Sequence, residues 1–489
     1  MNSKSSTKFY VTTAIPYVNA KPHIGFALEL VQTDVLARYH RLKGDDVYFL
    51  TGSDENSLKN VQAACKEGIS IKVLVDKYSK EFKDLKRLLN LTNDDFIRTS
   101  EKRHFEGAEK LWQSCKKEDI YKKKYKGLYC VGCERYYSKE ELIDSKCPEH
   151  KTVPEEIEEE NYFFRLSNYG SKLIELIKSN KIEIIPETRK NEALSFLEMG
   201  LEDISISRSK ERAGNWGVPV PNDPSQVMYV WFDALSNYIT ALNYGGDEKL
   251  FKKYWPANIQ VIGKGILRFH AIYFPAMLLS AGFSENELPK RIFVHGYVSI
   301  NGEKISKSLG NVISPKEVID KYGVDALRYY LLKEISPFKD GDFSFEKMEE
   351  IYNNELANDL GNLVNRVVSM ADRYKIGLKV KGLRLKVKTD NSKLNKFIDN
   401  FQFDEALKLI WKDVRDANNY IEQNKPWELA SAKALKEQNR KKLEEIFEHL
   451  FEMLYAICYM LHIFLPETAE KIEFQLKSLK PEPLFPRIK

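Results

Sequence analysis

Three groups of residues have the types and spacing to do chemistry. The first is Pro22-His23-Ile24-Gly25, where a strand-like run gives way to helical spacing. A helix N-terminus carries unpaired N–H groups and attracts anions, and His23 adds an imidazole at that point. The second is Asn301-Gly302-Glu303-Lys304-Ile305-Ser306-Lys307-Ser308-Leu309-Gly310-Asn311, with two lysines three apart among glycines and serines. Mobile cations of this kind suit the charge that develops on a reacting polyphosphate. The same run also reads as the basic tip of a hairpin. The third is Cys130-Val131-Gly132-Cys133 followed by Cys147-Pro148-Glu149-His150. C-x2-C-x13-C-x2-H brings four soft ligands together for one structural zinc, the alternative being a knuckle without metal.

The elements that must position these groups are legible in the patterning. Phe9-Tyr10-Val11-Thr12-Thr13 is a β-branched and aromatic run that predicts a buried strand. Pro16 ends it, because a proline cannot sit inside a central strand. A helical stretch carrying Leu28, Val31, Val35 and Leu36 on one face follows His23, and Val47–Leu50 is the next strand, ending at Thr51-Gly52-Ser53-Asp54. Strand, helix and strand in this order make a βαβ unit, whose ligands sit beyond the carboxyl ends of the strands. That rule places Ala14–Asn19, His23 and Asp54 around one crevice. Ile259–Gly263 and Ile292–Gly296 are two further buried strands with a helix over His270–Leu279 between them. The lysine-bearing run follows the second of these and so emerges at the same edge. The fold class expected is α/β, a parallel-sheet domain split by an insertion.

Composition limits what else the chain can be. Its 489 residues with 43% hydrophobic content allow two to four domains with sizeable cores. A net charge of only +5 gives no whole-chain field toward nucleic acid, and no DNA partner is expected. The longest apolar run, Leu454–Leu465, is interrupted by His462 and stopped by Pro466, too short to span a bilayer. No apolar segment precedes the first strand, so no secretory signal is expected, and six cysteines with three clustered point to metal binding in a reducing compartment. Val61–Leu91 reads as one long helical pattern, and Glu155–Glu160 as a solvated edge. Val227–Trp231 reads as strand. From Glu346 the pattern is helical, with Leu443, Ile446, Phe447, Leu450, Phe451, Leu454 and Ile457 forming the stripe of a bundle helix. Arg373–Lys388 holds seven basic residues and no acid, either a phosphate contact or a solvated inter-helix loop. The divisions expected are 1–117 and 226–325 for the split catalytic domain, 118–225 for the insertion, 326–350 for a linking segment and 351–489 for a helical domain.

Taken together, His23-Ile24-Gly25 and Lys304-Ile305-Ser306-Lys307-Ser308 resemble the two signatures of class I aminoacyl-tRNA synthetases. Ala14-Ile15-Pro16-Tyr17, Thr51–Glu55, Gly200–Arg208, Tyr229–Ala234 and Arg268-Phe269-His270 narrow the resemblance to the methionyl-tRNA synthetase family, over essentially the whole chain. The resemblance implies a Rossmann-type catalytic domain with a one-zinc connective insertion and an α-helical anticodon-binding domain. It implies ATP, methionine and tRNA(Met) as partners, Mg²⁺ with the ATP, zinc on Cys130, Cys133, Cys147 and His150, a monomer and a cytoplasmic location. His23, Gly25, Gly296, Lys304 and Lys307 are then expected at ATP, with His23, Lys304 and Lys307 catalytic. Ala14, Ile15, Tyr17, Asp54, Trp231, Ala234, Tyr238, Phe269 and His270 are expected at methionine. Arg208, Asn362, Arg366 and Trp427 are expected at tRNA. In isolation, Trp231, Phe269 and Trp427 also read as packing residues, His270 as a structural histidine, and Asn362 as a helix cap. Two positions depart from the family pattern: Phe26 stands where a histidine is expected, and Gly265 where an aspartate is expected. A sister synthetase for another apolar amino acid, or an RNA-binding relative without activity, are the competing readings.

Overall fold

A computed structural model describes residues 6–132, 134–149, 151–305, 311–376, 391–430 and 437–488, without the side chains of residues 135 and 304. The chain divides into two compact units. The first contains the residues up to Pro22, His40–Arg87 and Leu91–His295; the second contains His23–Tyr39, Leu88–Asn90 and the chain from Gly296 on.

The first unit is built on a six-stranded sheet. Its order is Asp95–Arg98, Asp46–Ser53, Lys8–Thr13, Ile259–Gly263, Arg291–His295 and Glu183–Ile185, every neighbouring pair parallel. Parallel strands need long crossovers and are covered on both faces, which is why Tyr10, Val11, Phe49, Val261, Ile262 and Phe293 are wholly buried. Chain order reverses between Lys8–Thr13 and Ile259–Gly263. In doubly wound sheets such a switch point opens the ligand crevice. Ala14, immediately past the first strand, donates its N–H to Val261 O at 3.1 Å.

Glu183–Ile185, within the range read as insertion, is the sheet's outermost strand, paired with Arg291–Phe293. Its pairing partner lies more than a hundred residues away in sequence, so local pattern carries no trace of it. Ile120–Cys130 and Glu155–Phe164 form a long antiparallel ribbon in a separate four-stranded sheet. Glu155–Glu160 therefore belongs to a paired strand, facing the lysine-rich strand across the ladder, with Lys126 and Glu156 3.0 Å apart. Val61–Leu91 is divided: helices Leu58–Glu67 and Ile71–Leu88 are separated at Gly68, whose left-handed backbone caps the first. The strand before the Trp231 region stops at Met228, and Val230–Leu235 is helical.

The second unit is mostly helical. Glu437–Phe464 is long and apolar enough to cross a membrane by length and composition alone, but its predicted stripe from Leu443 to Ile457 is buried in the bundle. A small sheet joins Val298–Ile300 to Gly341–Phe343 in parallel and to Glu303–Lys304 antiparallel. Gly296 is needed at its entrance, since a Cβ there would lie 2.2 Å from Lys339 O.

At the centre of this unit is a fully buried guanidinium. Arg328 donates from Nε to Phe464 O at 2.8 Å and from Nη1 to Leu89 O at 3.1 Å, and its Nη2 lies 2.8 Å from Asp34 Oδ2. Asp34 also receives Arg38 Nε at 2.7 Å, and Arg38 reaches Asn90 O. Burial pushes Arg328 below its usual pKa range, opposed by the Asp34 carboxylate. Removing one partner of such a pair strands the other charge in a dry interior. Arg328→Ala is expected to lower the unfolding free energy by about 3–5 kcal/mol. Arg328→Met combined with Asp34→Leu should cost less than that single change, as read by chemical denaturation.

Candidate active site

Sharp local turns at strand ends position the residues expected at methionine, all of which lie in the first unit. Tyr17 forms an isolated parallel bridge with Asp54, whose N–H donates to Pro16 O at 2.8 Å. Pro16 lies past the end of the first strand, and the isolated bridge pairs the two chain segments again beyond the strand ends at Thr13 and Ser53. Asp54 is 2% exposed. Its Oδ1 accepts Asn56 N–H at 3.2 Å, and its carbonyl accepts Asn60 Nδ2 at 3.0 Å. Burial first, then the neighbouring carboxyl groups of Asp233 and Glu134, push its pKa well above the carboxylate range, against the Asn56 N–H. An arriving ammonium would reverse that balance.

Around it stand the aromatic groups. Trp231, on the short helix Val230–Leu235, stacks on Phe269 with centroids 3.5 Å apart and planes 6° from parallel. Ala234 lies one turn further along the same helix and is buried. Tyr238 Oη lies 2.6 Å from His270 Nε2, and His270 Nδ1 lies 2.9 Å from Ile266 O. A carbonyl can only accept, so Nδ1 carries the proton and Nε2 accepts from the tyrosine. Burial lowers the His270 pKa from 6.5 to about 4, so the ring is neutral at physiological pH. Tyr10 Oη donates to Tyr238 O and fixes this wall to the first strand. Tyr17 Oη and Trp231 Nε1 are buried without a hydrogen-bond partner among the described residues. Ala14 and Ile15 are half-buried at the switch point. The first unit thus joins a neutral aromatic wall to a buried carboxyl group.

Four residues that the sequence reading did not select complete this region. His104, Asp233 and Asn56 form a buried chain of hydrogen bonds leading to Asp54. Glu134, beside Cys133, is fully buried. It accepts Lys59 N–H at 3.0 Å and takes the hydroxyl of Tyr229 on its carbonyl. Burial raises its pKa, opposed by Arg208. Asp233 falls inside the quoted Tyr229–Ala234 run, but nothing local marks His104 or Glu134. Arg208 differs from its expected placement at tRNA. It is 6% exposed, donating to Tyr129 Oη at 2.6 Å with its guanidinium 5.1 Å and 5.2 Å from the Tyr129 and Tyr229 ring centres. A side chain enclosed by two tyrosines is not offered to a surface ligand.

The residues expected at ATP that the structure describes lie in the second unit. Helix Ile24–Leu42 begins right after His23, whose Nδ1 accepts Gly25 N–H at 3.1 Å. The imidazole therefore caps its own helix, which places the proton of the neutral ring on Nε2. A Cβ on Gly25 would lie 2.9 Å from His23 Cε1, so only glycine leaves the ring room. Phe26, at the departing position, packs its ring against His23 with centroids 4.3 Å apart; it supplies a face rather than a donor. Ile24 N–H donates to Ile313 O at 3.0 Å, and Ile305 Cδ1 is 3.8 Å from the position of a Gly25 Cβ. Ile305 and Ile313, on either side of the residues not described, thus both lie beside the N-terminus of this helix. Lys304 lies on the strand Glu303–Lys304 with its side chain outside the described set, and Lys307 is outside the described residues.

Cys130 and Cys147 share a buried cluster with Tyr137, and Cys147 Sγ lies 3.3 Å from Tyr137 Oη. Cys133 and His150 lie outside the described residues, and among the described residues no group of three or more His, Cys, Asp or Glu side chains converges. In the second unit, the Arg366 guanidinium lies 5.8 Å from the Trp427 ring centre and pairs with Glu422 at 2.7 Å. Asn362, one turn before Arg366, is exposed. Most of the basic Arg373–Lys388 run lies outside the described residues.

This sheet order and these signatures define a class I aminoacyl-tRNA synthetase. The family model for class I tRNA synthetases (M) matches residues 9–155 and 137–368, and that for the anticodon-binding domain of tRNA ligase matches 381–484. A methionine–tRNA ligase of Caldanaerobacter subterraneus is 43% identical over 96% of this chain and 74% of its own length. One from Brucella suis is 44% identical over 96% of this chain and 91% of its own. The Mycobacterium tuberculosis methionyl-tRNA synthetase in complex with methionyl-adenylate superposes with a TM-score of 0.89 at 37% identity, covering 98% of this chain and 100% of that one. The chain belongs to the methionine–tRNA ligase family.

The buried neutral His270 has a measurable pH consequence. Its folded pKa of about 4 lies below its unfolded value near 6.5, so between these the unfolded chain binds the proton that the folded chain refuses. Its contribution is complete above pH 6.5 and is lost as pH falls toward 4; over that window unfolding free energy should drop by about 3 kcal/mol through this group. His270→Gln should flatten that part of the stability–pH curve.

Proposed function

We propose that this chain joins methionine to tRNA(Met) by the following division of labour. Methionine and ATP give methionyl-adenylate and pyrophosphate, and the methionyl group then passes to the 3′ end of the tRNA. The methionine carboxylate is itself the nucleophile toward the α-phosphate, so the protein acts by positioning and by charge. The observation that carries this reading is the neutral aromatic wall beside the buried Asp54. Asp54 receives the ammonium, while Tyr17, Trp231, Ala234, Tyr238, Phe269 and His270, with Ala14 and Ile15 at the strand end, receive the thioether chain. Sulfur–aromatic contacts of about 0.3–1.5 kcal/mol favour it there. A neutral His270 suits an apolar substituent, and a charged one would not.

His23 serves the phosphates through its Nε2 proton, at a helix N-terminus that already favours anions. Gly25 and Gly296 leave room for backbone near the nucleotide, and Lys304 and Lys307 meet the departing pyrophosphate. Mg²⁺ accompanies the ATP and neutralises part of its charge. Asn362 and Arg366, four apart, and the half-exposed Trp427 read the anticodon by hydrogen bonding and stacking, which is how unpaired RNA bases are recognised. Arg208 is assigned to the buried charge around Glu134 instead.

Methionine-dependent ATP–pyrophosphate exchange tests this reading, with leucine, isoleucine and cysteine as inactive controls. Lys307→Ala is expected to raise the activation barrier by about 3–4 kcal/mol; exchange surviving nearly intact would take Lys307 off the phosphates.

Zinc belongs to the same proposal. Cys130 and Cys147, two buried thiols in one cluster, suit a soft cation, and Cys133 and His150 complete a closed four-ligand set that would fix the insertion without entering the reaction. We assign the enzyme to the cytoplasm as a monomer. Native mass spectrometry should give a single chain carrying one zinc; a dimer mass or a metal-free protein would refute the corresponding assignment.

A further inference from the structure

His104 is the most deeply enclosed histidine near the methionine residues, and no step above uses it. It lies two residues into helix Lys102–Ser114 with no exposed surface. Both ring nitrogens are engaged: Nδ1 is 2.9 Å from Thr240 Oγ1, and Nε2 is 2.5 Å from Asp233 Oδ1. The Asp233 carboxylate, itself 1% exposed, accepts Asn56 Nδ2 on its other oxygen at 2.8 Å. The second proton of that amide goes to Thr99 O at 3.0 Å, so Asn56 is pinned from both sides. Its backbone N–H then donates to Asp54 Oδ1 at 3.2 Å. Three separate stretches of the sequence, 54–56, 104 and 233–240, are thereby joined in one buried line, Thr240–His104–Asp233–Asn56–Asp54.

The electrostatics give this line a purpose. The carboxyl group of Asp233 is close enough to Asp54 to oppose the ionisation of Asp54. An ammonium acceptor must stay oriented and be ready to ionise, and an unpaired Asp233 would be free to turn toward Asp54 or toward the ammonium itself. The hydrogen bond between His104 Nε2 and Asp233 Oδ1 holds one carboxyl oxygen away and leaves the other for Asn56.

We propose that His104 is a positioning residue for the methionine ammonium, acting through Asp233 and Asn56 on Asp54. The proposal deepens the assignment of Asp54 to the ammonium and rests on it. Asp233 follows Trp231 by two residues on one helix, so a rival route through the aromatic wall must be separated from the route through Asp54. The des-amino analogue of methionine, which keeps the thioether and the carboxylate, makes that separation.

The test uses the full chain with His104→Ala and His104→Gln, the second keeping a side-chain donor. Measured quantities are the methionine and ATP KM values and kcat in pyrophosphate exchange, inhibition by the des-amino analogue, and the thermal midpoint. The expected result for His104→Ala is a methionine KM raised roughly tenfold to a hundredfold, with the ATP KM and the inhibition constant of the analogue held within about twofold. His104→Gln should recover part of the loss, and it decides the matter if the alanine variant does not fold. An unchanged methionine KM, or an equal loss for methionine and the analogue, whether or not ATP is affected, overturns the proposal. Absence of methionine-dependent exchange in the unaltered chain would instead overturn the assignment on which it rests.

Discussion

A carboxyl group buried without a cation is costly, and the first unit gathers several. Asp54, Asp233, Glu134 and Glu55 are all essentially inaccessible, and their surroundings are organised around that fact. Glu55 is satisfied within the fold: Arg98 grips it through Nε at 2.6 Å and Nη2 at 3.0 Å, with Ser53 and Ser79 adding hydroxyl donors. Asp233 is satisfied by His104 and Asn56. Asp54 differs. Only a backbone N–H reaches its carboxylate among the contacts described, and its neighbours raise its pKa instead of lowering it. That uncompensated carboxyl group is the observation on which the proposed ammonium role of Asp54 rests.

The apolar half follows a different logic. Trp231, Phe269, Tyr238 and His270 come from helical segments after the Asp223–Met228 and Ile259–Gly263 strands, and they lock one another by stacking and by the Tyr238–His270 hydrogen bond. The histidine in that wall has both nitrogens occupied, and burial disfavours its charged form. Glu134 ties the cysteine-bearing module to the same region through Lys59 N–H and Tyr229, so the insertion contributes to the first unit's core as well as to its periphery.

In the second unit the constraint is the buried Arg328, which holds Asp34 of the His23 helix and the carbonyl ends of Phe464 and Leu89. The helix that carries His23 is therefore fixed from its middle by an ion pair and at its start by Ile313 O and the His23 ring. Phe26 resolves in this setting. With the His23 imidazole already capping the helix, Phe26 packs on its face and narrows the ring's freedom.

The sequence by itself determined the elements with strong periodicity and the motifs with rigid spacing. Phe9–Thr13, Ile259–Gly263 and the bundle stripe from Leu443 were all legible, because a buried parallel strand and a 3.6-residue repeat each leave a local trace. Several features had no such trace. Glu183–Ile185 is too short to read as a sheet strand until Arg291–Phe293 pairs with it. The Glu155–Glu160 glutamates are largely solvated, as the sequence suggests, but that they sit on a strand paired with the lysine-rich one shows only in the fold. Arg208 looks like a surface cation until Tyr129 and Tyr229 enclose it. His104 acquires meaning only through Asp233, 129 positions away. Tertiary structure alone decided these, because whether a charge is solvated, paired or left waiting for a ligand depends on which distant groups the fold brings within about 3 Å of it.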